Sequence, residues 1–224
     1  MPSSPILLFG PQKWGAFFPL YVASQSWSFT SIAIGSDGFP IISYRDASSR
    51  LAAAHCTAVD CSAATHTALD GTGTGAWSSI ATGADGGLPI ISYYTSTGPS
   101  LSMVHCDVLD CSASISSGIA GTMGAGQLGT SVTVGTDGLA IISYSGGNGS
   151  SNLSVFSCPT QRCVGGSYPV VVDSTAGAGG YSSITIGADG LPIISYQGMV
   201  SGNTNLSVVH CANTRCSPPY VRRR

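Results

Sequence analysis

Apolar and small polar residues alternate in short segments that recur four times along the chain. In the first, Ile32 and Ile34 alternate with Ser31 and Ala33 at a period of two, which predicts a β-strand. An Asp-Gly turn follows, and then the apolar run PIISY, whose first residue has no N–H to donate. Such a run predicts a second strand that is buried on both faces. Each segment therefore predicts a tight β-hairpin.

The hairpin belongs to a unit of about 50 residues that is present four times. After the hairpin come a third apolar segment (LAAAHC, LSMVHC, LSVFSC or LSVVHC), two cysteines separated by four residues, and a weaker fourth segment such as TALD or YPVVVD. No stretch has helical periodicity, and the strands are apolar on both faces, whereas a sandwich would show one polar face. The unit is typical of a four-stranded propeller blade.

The two ends of the chain predict how the blades close into a ring. PLYVASQ, residues 19–25, holds the place before SIAIG that YPVVVD holds before SITIG, and the last unit ends soon after Cys216. The amino-terminal strand would complete the last blade and remove exposed sheet edges. We therefore predict one all-β domain, a closed four-bladed β-propeller at 19–220. Its blades are at about 29–70, 77–120, 129–173 and 181–220, after an extension at 1–18 and before a basic tail at 221–224.

The repeated motif resembles that of a known class of proteins. G-[SAT]-D-G-x-P-I-I-S-Y followed by L-x-x-x-H-C-x4-C is similar to the repeats of bacterial secreted β-propeller proteins, which are largely uncharacterised. The resemblance covers nearly everything after Ser28 and implies a propeller without implying an activity, because propellers host unrelated functions. The sialidase-type Asp-box, S-x-D-x-G-x-x-W, is not matched. No tryptophan or matching serine accompanies the turn aspartates Asp37, Asp85, Asp137 and Asp189.

Composition narrows the classes of function. Only 8% of residues are charged and the net charge is −2, which is typical neither of a nucleic-acid binder nor of a disordered acidic tail. The chain has no Glu, and its single Lys is Lys13, so a Glu base and any other Lys nucleophile are excluded. Pro11 and Pro19 interrupt the amino-terminal apolar runs well short of the roughly 18 residues of a membrane span. We expect a monomer with no nucleic-acid partner and no membrane span.

All eight cysteines lie in the four C-x4-C units, as in disulfide frameworks formed in an oxidising compartment. A secreted, periplasmic or cell-surface protein is therefore expected. Facing Cβ atoms of a hairpin are about 4.5–5.5 Å apart, so a bridge needs little adjustment. Zinc would need two pairs to meet at one ion, which pairs on separate blades would not do. The predicted disulfides are Cys56–Cys61, Cys106–Cys111, Cys158–Cys163 and Cys211–Cys216.

Three histidines, His55, His105 and His210, precede the first cysteine of their units, and Ser157 holds this position in the third unit. Three histidines around an open position form a zinc site for hydrolysis. Their strand should lie about 10 Å outside the innermost one, too far out for a shared ion, so we favour a structural role and no cofactor. A divalent metal, zinc or calcium, is the alternative. The turn aspartates are interpreted as turn residues that bond their own backbone.

Each second strand ends in a tyrosine, at the point where the most variable loop of the unit begins. Variable loops on a rigid repeat commonly carry binding. The predicted ligand-binding residues are Tyr44, Asp46, Tyr93, Tyr94, Tyr144, Tyr196 and Gln197. The repeated tyrosines could instead pack in the core with satisfied hydroxyls. The innermost strands should contribute two rings of hydroxyls, of which one lines the axis. These are Thr30, Ser78, Thr130 and Ser182, and Ser31, Ser79, Ser131 and Ser183.

The leading hypothesis is a secreted binding or adhesion module that recognises a glycan, another surface polymer or a small molecule through the loop face of the propeller. The first alternative is a small metal-assisted hydrolase of an ester, phosphoester or glycoside, for which the sequence assigns no catalytic residue. The second alternative is a purely structural repeat.

Overall fold

The computed structural model describes residues 28–97, 101–120, 127–146, 151–165, 169–217 and 221–223. Within these ranges the chain forms β-strands and no helix. Sheet 1 contains β1 (Ser28–Ile34), β2 (Pro40–Arg45), β3 (Arg50–Cys56) and β4 (Ala64–Thr72). Sheet 2 contains β5 (Ala76–Thr82), β6 (Pro89–Tyr94), β7 (Leu101–Cys106) and β8 (Ser114–Ala120). Sheet 3 contains β9 (Thr130–Val134), β10 (Ala140–Ser145), β11 (Leu153–Ser157) and β12 (Val170–Asp173). Sheet 4 contains β13 (Gly180–Ile186), β14 (Pro192–Val200), β15 (Asn203–His210) and β16 (Val221–Arg223).

In each sheet the four strands pair antiparallel with their sequence neighbours. The predicted hairpin is present, and Ile32 lies opposite Ile42, which lies opposite Ala54 on β3. In the first turn the Asp37 carboxylate accepts the Phe39 N–H at 3.1 Å, and Gly38 has a φ of 82°. The Asp-Gly turn therefore forms as the sequence predicts, because the aspartate bonds the backbone and the glycine accepts the left-handed conformation.

Successive sheets pack face to face around a common axis. The innermost strands contact in sequence order, β1 with β5, β5 with β9, and β9 with β13. A separate apolar core fills each of these three interfaces, for example Leu51 of sheet 1 with Ile80 and Tyr93 of sheet 2. Four antiparallel four-stranded sheets in this arrangement are consistent with a β-propeller. The described part of the chain has no helix long and apolar enough to cross a membrane.

Disulfides join the four predicted cysteine pairs, Cys56–Cys61, Cys106–Cys111, Cys158–Cys163 and Cys211–Cys216. The second cysteine of each pair has a positive φ of 53–56°, and its N–H bonds the carbonyl three residues earlier. In sheets 2, 3 and 4 the cysteine sulfurs lie in the core against the preceding sheet. These cysteines therefore form part of the interfaces between sheets.

The last sheet differs from the sequence prediction in its fourth strand. That position belongs to β16, which pairs antiparallel with β15 so that Val221 lies opposite His210. The segment predicted as a basic tail thus pairs in the sheet. β15 and β16 are near neighbours in the sequence, so a local partner fills this edge. Residues 19–25, predicted for this position, lie outside the described residues, as does the predicted extension at 1–18.

Candidate functional site

One position near the start of each innermost strand has a left-handed backbone. It is held by Phe29, Trp77, Gly129 and Tyr181, with φ of 57°, 55°, 115° and 53°. In sheets 1, 2 and 4 the pairing register shifts here, as in a β-bulge. Aromatic residues rarely adopt positive φ, and such strain collects at functional sites. We call these four residues the axial position.

The axial position and the residue after it enclose a cavity at one end of the axis, which we call the axial pocket. Its volume is about 280 Å³. It is lined by Phe29, Thr30, Trp77, Ser78, Gly129, Thr130, Tyr181 and Ser182. The pocket therefore receives two consecutive residues from every sheet, and none of the eight is charged.

The aromatic side chains of the axial position are in contact. The Phe29 and Trp77 ring centroids are 4.7 Å apart with the planes tilted by 50°, and Trp77 and Tyr181 are 6.0 Å apart in an edge-to-face arrangement. Tyr181 has 61% of its surface exposed. Gly129 lies close to the Tyr181 backbone, because a Cβ there would lie 3.4 Å from the Tyr181 Cα. The pocket thus has an aromatic wall that solvent can reach.

Hydroxyls beside the aromatic residues fix the backbone of the axial position. The Ser78 hydroxyl donates to the Phe29 carbonyl at 2.6 Å, and the Thr130 hydroxyl donates to the Trp77 carbonyl at 2.8 Å. Deeper serines complete these contacts, with Ser43 Oγ 3.1 Å from Ser78 Oγ and Ser92 Oγ 2.9 Å from Thr130 Oγ1. The first predicted hydroxyl ring therefore lines the pocket, and its members in sheets 2, 3 and 4 also tie each of these sheets to the preceding one.

The second predicted hydroxyl ring links neighbouring sheets without lining the pocket. Ser31, Ser79 and Ser131 each accept the backbone N–H of an apolar residue on the next innermost strand at 3.2 Å. These donors are Ile80, Val132 and Ile184.

The four repeated tyrosines lie in the core instead of on the loop face. Tyr44, Tyr93, Tyr144 and Tyr196 are buried. The Tyr93 hydroxyl donates to Asp70 of sheet 1 at 2.5 Å, and the Tyr196 hydroxyl donates to Asp173 of sheet 3 at 2.8 Å. The outer strand of each preceding sheet thus supplies the acceptor. Buried tyrosines with bonded hydroxyls cannot stack on a ligand without leaving the core, so the packing interpretation describes their placement.

The other two tyrosines have bonds within their own sheets. Tyr44 Oη lies 3.2 Å from Nδ1 of His66 on β4, and Tyr144 bonds Ser154. Burial raises the pKa of Tyr44, Tyr93 and Tyr144, to about 12 for Tyr144. The Asp70 hydrogen bond and charge raise the Tyr93 pKa further. Partial burial lowers the pKa of His66.

Two of the three remaining predicted loop residues lie near the mouth of the axial pocket. Tyr94 pairs with Ala76 and Gln197 pairs with Gly180, each one residue away from the axial position. Asp46 instead closes its own loop through Arg50, at 2.8 Å. Burial would raise the Asp46 pKa, but the hydrogen bonds and charge of Arg50 outweigh it and lower the pKa. The axial pocket therefore opens at the end of the sheets where the predicted binding loops begin.

A second cavity of about 240 Å³ lies between sheets 1 and 2. It is lined by Asp70, Gly71, Thr72, Thr74, Tyr93, Thr95, Thr97, Ser102, Ser116, Ser117 and Gly118. Its one carboxylate, Asp70, is already bonded by the Tyr93 hydroxyl and by the Gly71 N–H. This cavity offers many hydroxyls but no aromatic face that solvent can reach.

Each histidine of the predicted triad lies against the turn aspartate of its own sheet. The Nε2–Oδ2 distances are 2.9 Å for His55 and Asp37, 2.6 Å for His105 and Asp85, and 2.8 Å for His210 and Asp189. The pairs fasten the first turn of the sheet to the end of its third strand. Among the described residues, no group of three His, Cys, Asp or Glu side chains is placed to hold one metal ion. The structure thus does not bring the three histidines together.

Sequence reasoning missed two features of this region. The histidine–aspartate pairs escaped it because the two residues are 18 to 21 positions apart and were assigned separate roles. The axial position was not recognised in the sequence because its residue type changes from unit to unit. A signal was present, since the position always precedes a pair of hydroxyl residues and is aromatic in three units of four.

Comparisons with known proteins give matches at the level of the fold. No family model and no curated protein matches the chain. Several solved structures do match. An α-L-arabinofuranosidase from Podospora anserina, in complex with cellotriose, is 15% identical with a TM-score of 0.56, over 95% of this chain and 70% of that one.

Two further α-L-arabinofuranosidases match over most of this chain. The GH62 catalytic domain from Coprinopsis cinerea is 16% identical with a TM-score of 0.54, over 88% of this chain and 68% of that one. A mutant from Fusarium graminearum, in complex with an iminosugar inhibitor, is 11% identical with a TM-score of 0.56, over 88% and 66%. Identities this low show a shared β-propeller fold and nothing about activity.

Proposed function

We propose that the chain is a binding module that recognises a glycan through the axial pocket. The observation that carries the proposal is the uncharged wall formed by Phe29, Trp77 and Tyr181 at an end of the axis that solvent can reach. Binding sites for small ligands are commonly concave and largely apolar, with a few polar groups that fix orientation. Aromatic faces match the C–H faces of sugar rings, and the hydroxyls of Thr30 and Tyr181 supply hydrogen bonds.

The comparisons support a carbohydrate ligand over other small molecules. The proteins with the same fold include enzymes that act on arabinofuranosides, and two were solved with cellotriose or an iminosugar. The four disulfides support secretion or display at a cell surface. The proposal treats the four sheets as the blades of one propeller, acting as a monomer.

The first alternative, a small hydrolase, is favoured by the same likeness to glycoside hydrolases. Glycoside hydrolysis generally needs two carboxyl groups about 5–10 Å apart across the scissile bond. None of the eight residues lining the axial pocket is acidic, and the chain has no Glu. A hydrolase site would therefore have to lie away from the axis, at the histidine–aspartate pairs or at Asp70. A structural repeat without a ligand is the second alternative.

Glycan binding is tested by replacing the aromatic wall without straining the backbone. Trp77→Gly and Tyr181→Gly keep a residue that tolerates positive φ, as Gly129 already does in sheet 3. The protein and its variants are titrated with cello-, arabino- and galacto-oligosaccharides by isothermal calorimetry, after a screen on a polysaccharide array. We expect each replacement to weaken binding at least about tenfold, which corresponds to about 1.4 kcal/mol, the scale of an aromatic contact.

The control is Val59→Ser, at an exposed residue of the first disulfide hairpin, which should leave affinity unchanged. Binding that survives both glycine replacements would place the site elsewhere, and a chain that binds no glycan would overturn the proposal. The same mixtures are assayed for released reducing sugars with and without a chelator. Turnover abolished by His105→Ala but not by Trp77→Gly would favour the hydrolase.

A further inference from the structure

The second cavity, which lies between sheets 1 and 2 and which we call the side pocket, differs from the axial pocket in its chemistry. Its volume is about 240 Å³, and eight of its eleven lining residues carry a hydroxyl. The other three are Asp70 and two glycines. Pockets for drug-sized ligands measure about 300–1,000 Å³, so the side pocket fits one smaller molecule. Its lining favours a ligand that is held by hydrogen bonds instead of apolar contacts.

The floor of the side pocket is formed by buried hydroxyls. Thr74 and Thr95 are 3% and 5% exposed. The Thr74 hydroxyl donates to the Gly71 carbonyl at 2.6 Å and accepts the Leu51 N–H at 2.9 Å, which fixes the connection between β4 and β5. The Thr95 hydroxyl has only long contacts with Thr97, to its N–H at 3.3 Å and to its Oγ1 at 3.4 Å. Because buried hydroxyls are normally well bonded, Thr95 can still bond a ligand.

The rim of the side pocket supplies three more hydroxyls, those of Thr72, Ser116 and Ser117. In the part of the chain that the structure describes, these three side chains have no hydrogen bond. Thr72 lies on β4 of sheet 1, whereas Ser116 and Ser117 lie on β8 of sheet 2. Both sheets therefore offer donors and acceptors to a molecule in the pocket.

Asp70 adds a carboxylate that a ligand can reach. It is half-buried, and it accepts the Tyr93 hydroxyl on Oδ2 and the Gly71 N–H on Oδ1. A carboxylate has about four acceptor sites, so some remain for a ligand. The equivalent aspartate between sheets 3 and 4, Asp173, also accepts a tyrosine hydroxyl but is only 5% exposed. The same kind of pair is thus open at one interface and closed at another.

Sheet 2 also departs from the repeat beside this pair. In sheets 3 and 4 the second residue after the repeated tyrosine is a glycine, Gly146 or Gly198. An asparagine side chain lies beside each glycine, because an added Cβ would overlap the amide oxygen of Asn152 or Asn205. Sheet 2 has Thr95 at this position, and its side chain lines the side pocket. The cavity therefore lies where the sequence of this unit differs from the others.

We propose that the side pocket binds one neutral polyhydroxy molecule, either a single sugar unit or a small polyol. Ligand hydroxyls both donate and accept, as the serine and threonine hydroxyls do, and Asp70 would accept a charge-assisted hydrogen bond from them. An anion would be repelled by Asp70, and an ammonium group could not accept bonds from the hydroxyls. Calcium takes six to eight oxygens, and the described residues contain no group of three metal-binding side chains. This site is separate from the axial pocket and does not depend on glycan binding there.

The test is a titration of the ¹⁵N-labelled full chain, followed by the chemical shifts of its backbone amides. The ligands are the methyl glycosides of arabinose, galactose and glucose and, to distinguish a sugar from a simple polyol, glycerol and inositol. We expect saturable shifts at Thr95 and Ser117. Asp70→Asn keeps an acceptor for Tyr93 but replaces a charge-assisted bond by a neutral one, and should weaken binding about fivefold. Ser117→Leu removes a hydroxyl and fills the pocket, and should abolish the shifts.

Two control variants separate this site from the rest of the chain. Asp173→Asn, at the closed pair, and Tyr181→Gly, in the axial pocket, should leave the affinity of the side pocket unchanged. Shifts at Thr95 without shifts at Gly129 would support the side pocket whatever the axial pocket binds. Shifts at Gly129 without shifts at Thr95 would leave the glycan proposal standing and overturn this one.

Three other results would also overturn the proposal. The first is the absence of saturable shifts at Thr95 and Ser117 with every one of these compounds. The second is an equal loss of affinity in Asp173→Asn and Asp70→Asn, which would mean that the effect is not local. The third is tighter binding of calcium or methylammonium at these residues than of any sugar or polyol. Unchanged amide shifts in β15, away from both pockets, check that each variant is folded.

Discussion

The tyrosines that join neighbouring sheets allow a stability prediction with internal controls. Tyr196→Phe removes a hydroxyl that donates to Asp173 at 2.8 Å, where both residues are buried. A hydrogen bond to a charged group contributes about 1.5–3 kcal/mol, and the buried Asp173 carboxylate would keep the Thr175 N–H but lose the phenol donor. We therefore expect Tyr196→Phe to lower the free energy of unfolding by about 2–3 kcal/mol.

Two matched replacements test how the loss of unfolding free energy depends on the group that accepts the tyrosine hydroxyl. Tyr93→Phe removes the donor to Asp70, but Asp70 lines the cavity between sheets 1 and 2, where water can take over the bond. We expect a loss of about 1.5 kcal/mol there. Tyr144→Phe removes a bond to the neutral Ser154 and should cost about 1 kcal/mol. The expected order of loss is Tyr196→Phe, then Tyr93→Phe, then Tyr144→Phe.

Urea unfolding with the disulfides intact, followed by fluorescence and far-ultraviolet circular dichroism, measures these differences. The dependence on urea should stay the same in all variants, since the surface exposed on unfolding does not change. A coupling energy of at least about 1 kcal/mol in a double-mutant cycle of Tyr196→Phe with Asp173→Asn would assign the loss to this pair. If Tyr144→Phe costs as much as Tyr196→Phe, the aspartates do not provide the stabilisation and the reasoning is refuted.

Three further predictions follow from the burial and backbone geometry. Because burial raises the Tyr144 pKa to about 12, the folded state favours the neutral phenol, so the contribution of this group to stability should be full below pH 10 and fall by up to about 1.4 kcal/mol per pH unit above it. Tyr44 and Tyr93, whose pKa is also raised, should add to the loss that urea unfolding measures between pH 8 and 11.5. Replacing both Cys106 and Cys111 by Ser should cost more than the roughly 2 kcal/mol of loop closure, since both sulfurs lie in the core, and thermal unfolding checks this. Gly179→Ala should cost well over 1 kcal/mol, because its Cβ would lie 2.3 Å from the Asn152 carbonyl oxygen, whereas Gly202→Ala, with open space around it, should cost only the strain of its positive φ.

The strands and disulfides could be predicted because their signals are local. Alternation at Ile32 and Ile34 identifies a strand within a few residues, and the Asp-Gly turn identifies the hairpin. The Cys56–Cys61 pair follows from a spacing of five residues within one hairpin. Each of these inferences needs only the sequence of one unit.

The sequence left the tyrosines open between ligand contact and packing in the core, because the outcome depends on a neighbouring sheet. Tyr93 looks available at the start of a loop, but Asp70, 23 residues earlier in the sequence, receives its hydroxyl across the interface. The fourth strand of sheet 4 was not predicted for a related reason. Pairing at a sheet edge uses backbone N–H and C=O groups, which nearly every residue has. The side chains of 19–25 and 221–223 therefore do not indicate which of the two segments pairs with the edge of sheet 4.

The hydroxyls that fasten the axial position bond main-chain carbonyls and not side chains. Ser78 holds the carbonyl of a phenylalanine and Thr130 holds that of a tryptophan, with nearly the same geometry. These hydrogen bonds therefore do not depend on which side chain the residue at the axial position carries. Such a separation lets the residues that face the axial pocket differ from unit to unit while the hydrogen bonds that hold the scaffold stay the same. In sheet 3 the axial position is Gly129, which has no side chain, although Trp77 and Tyr181 hold the same position in the two neighbouring sheets.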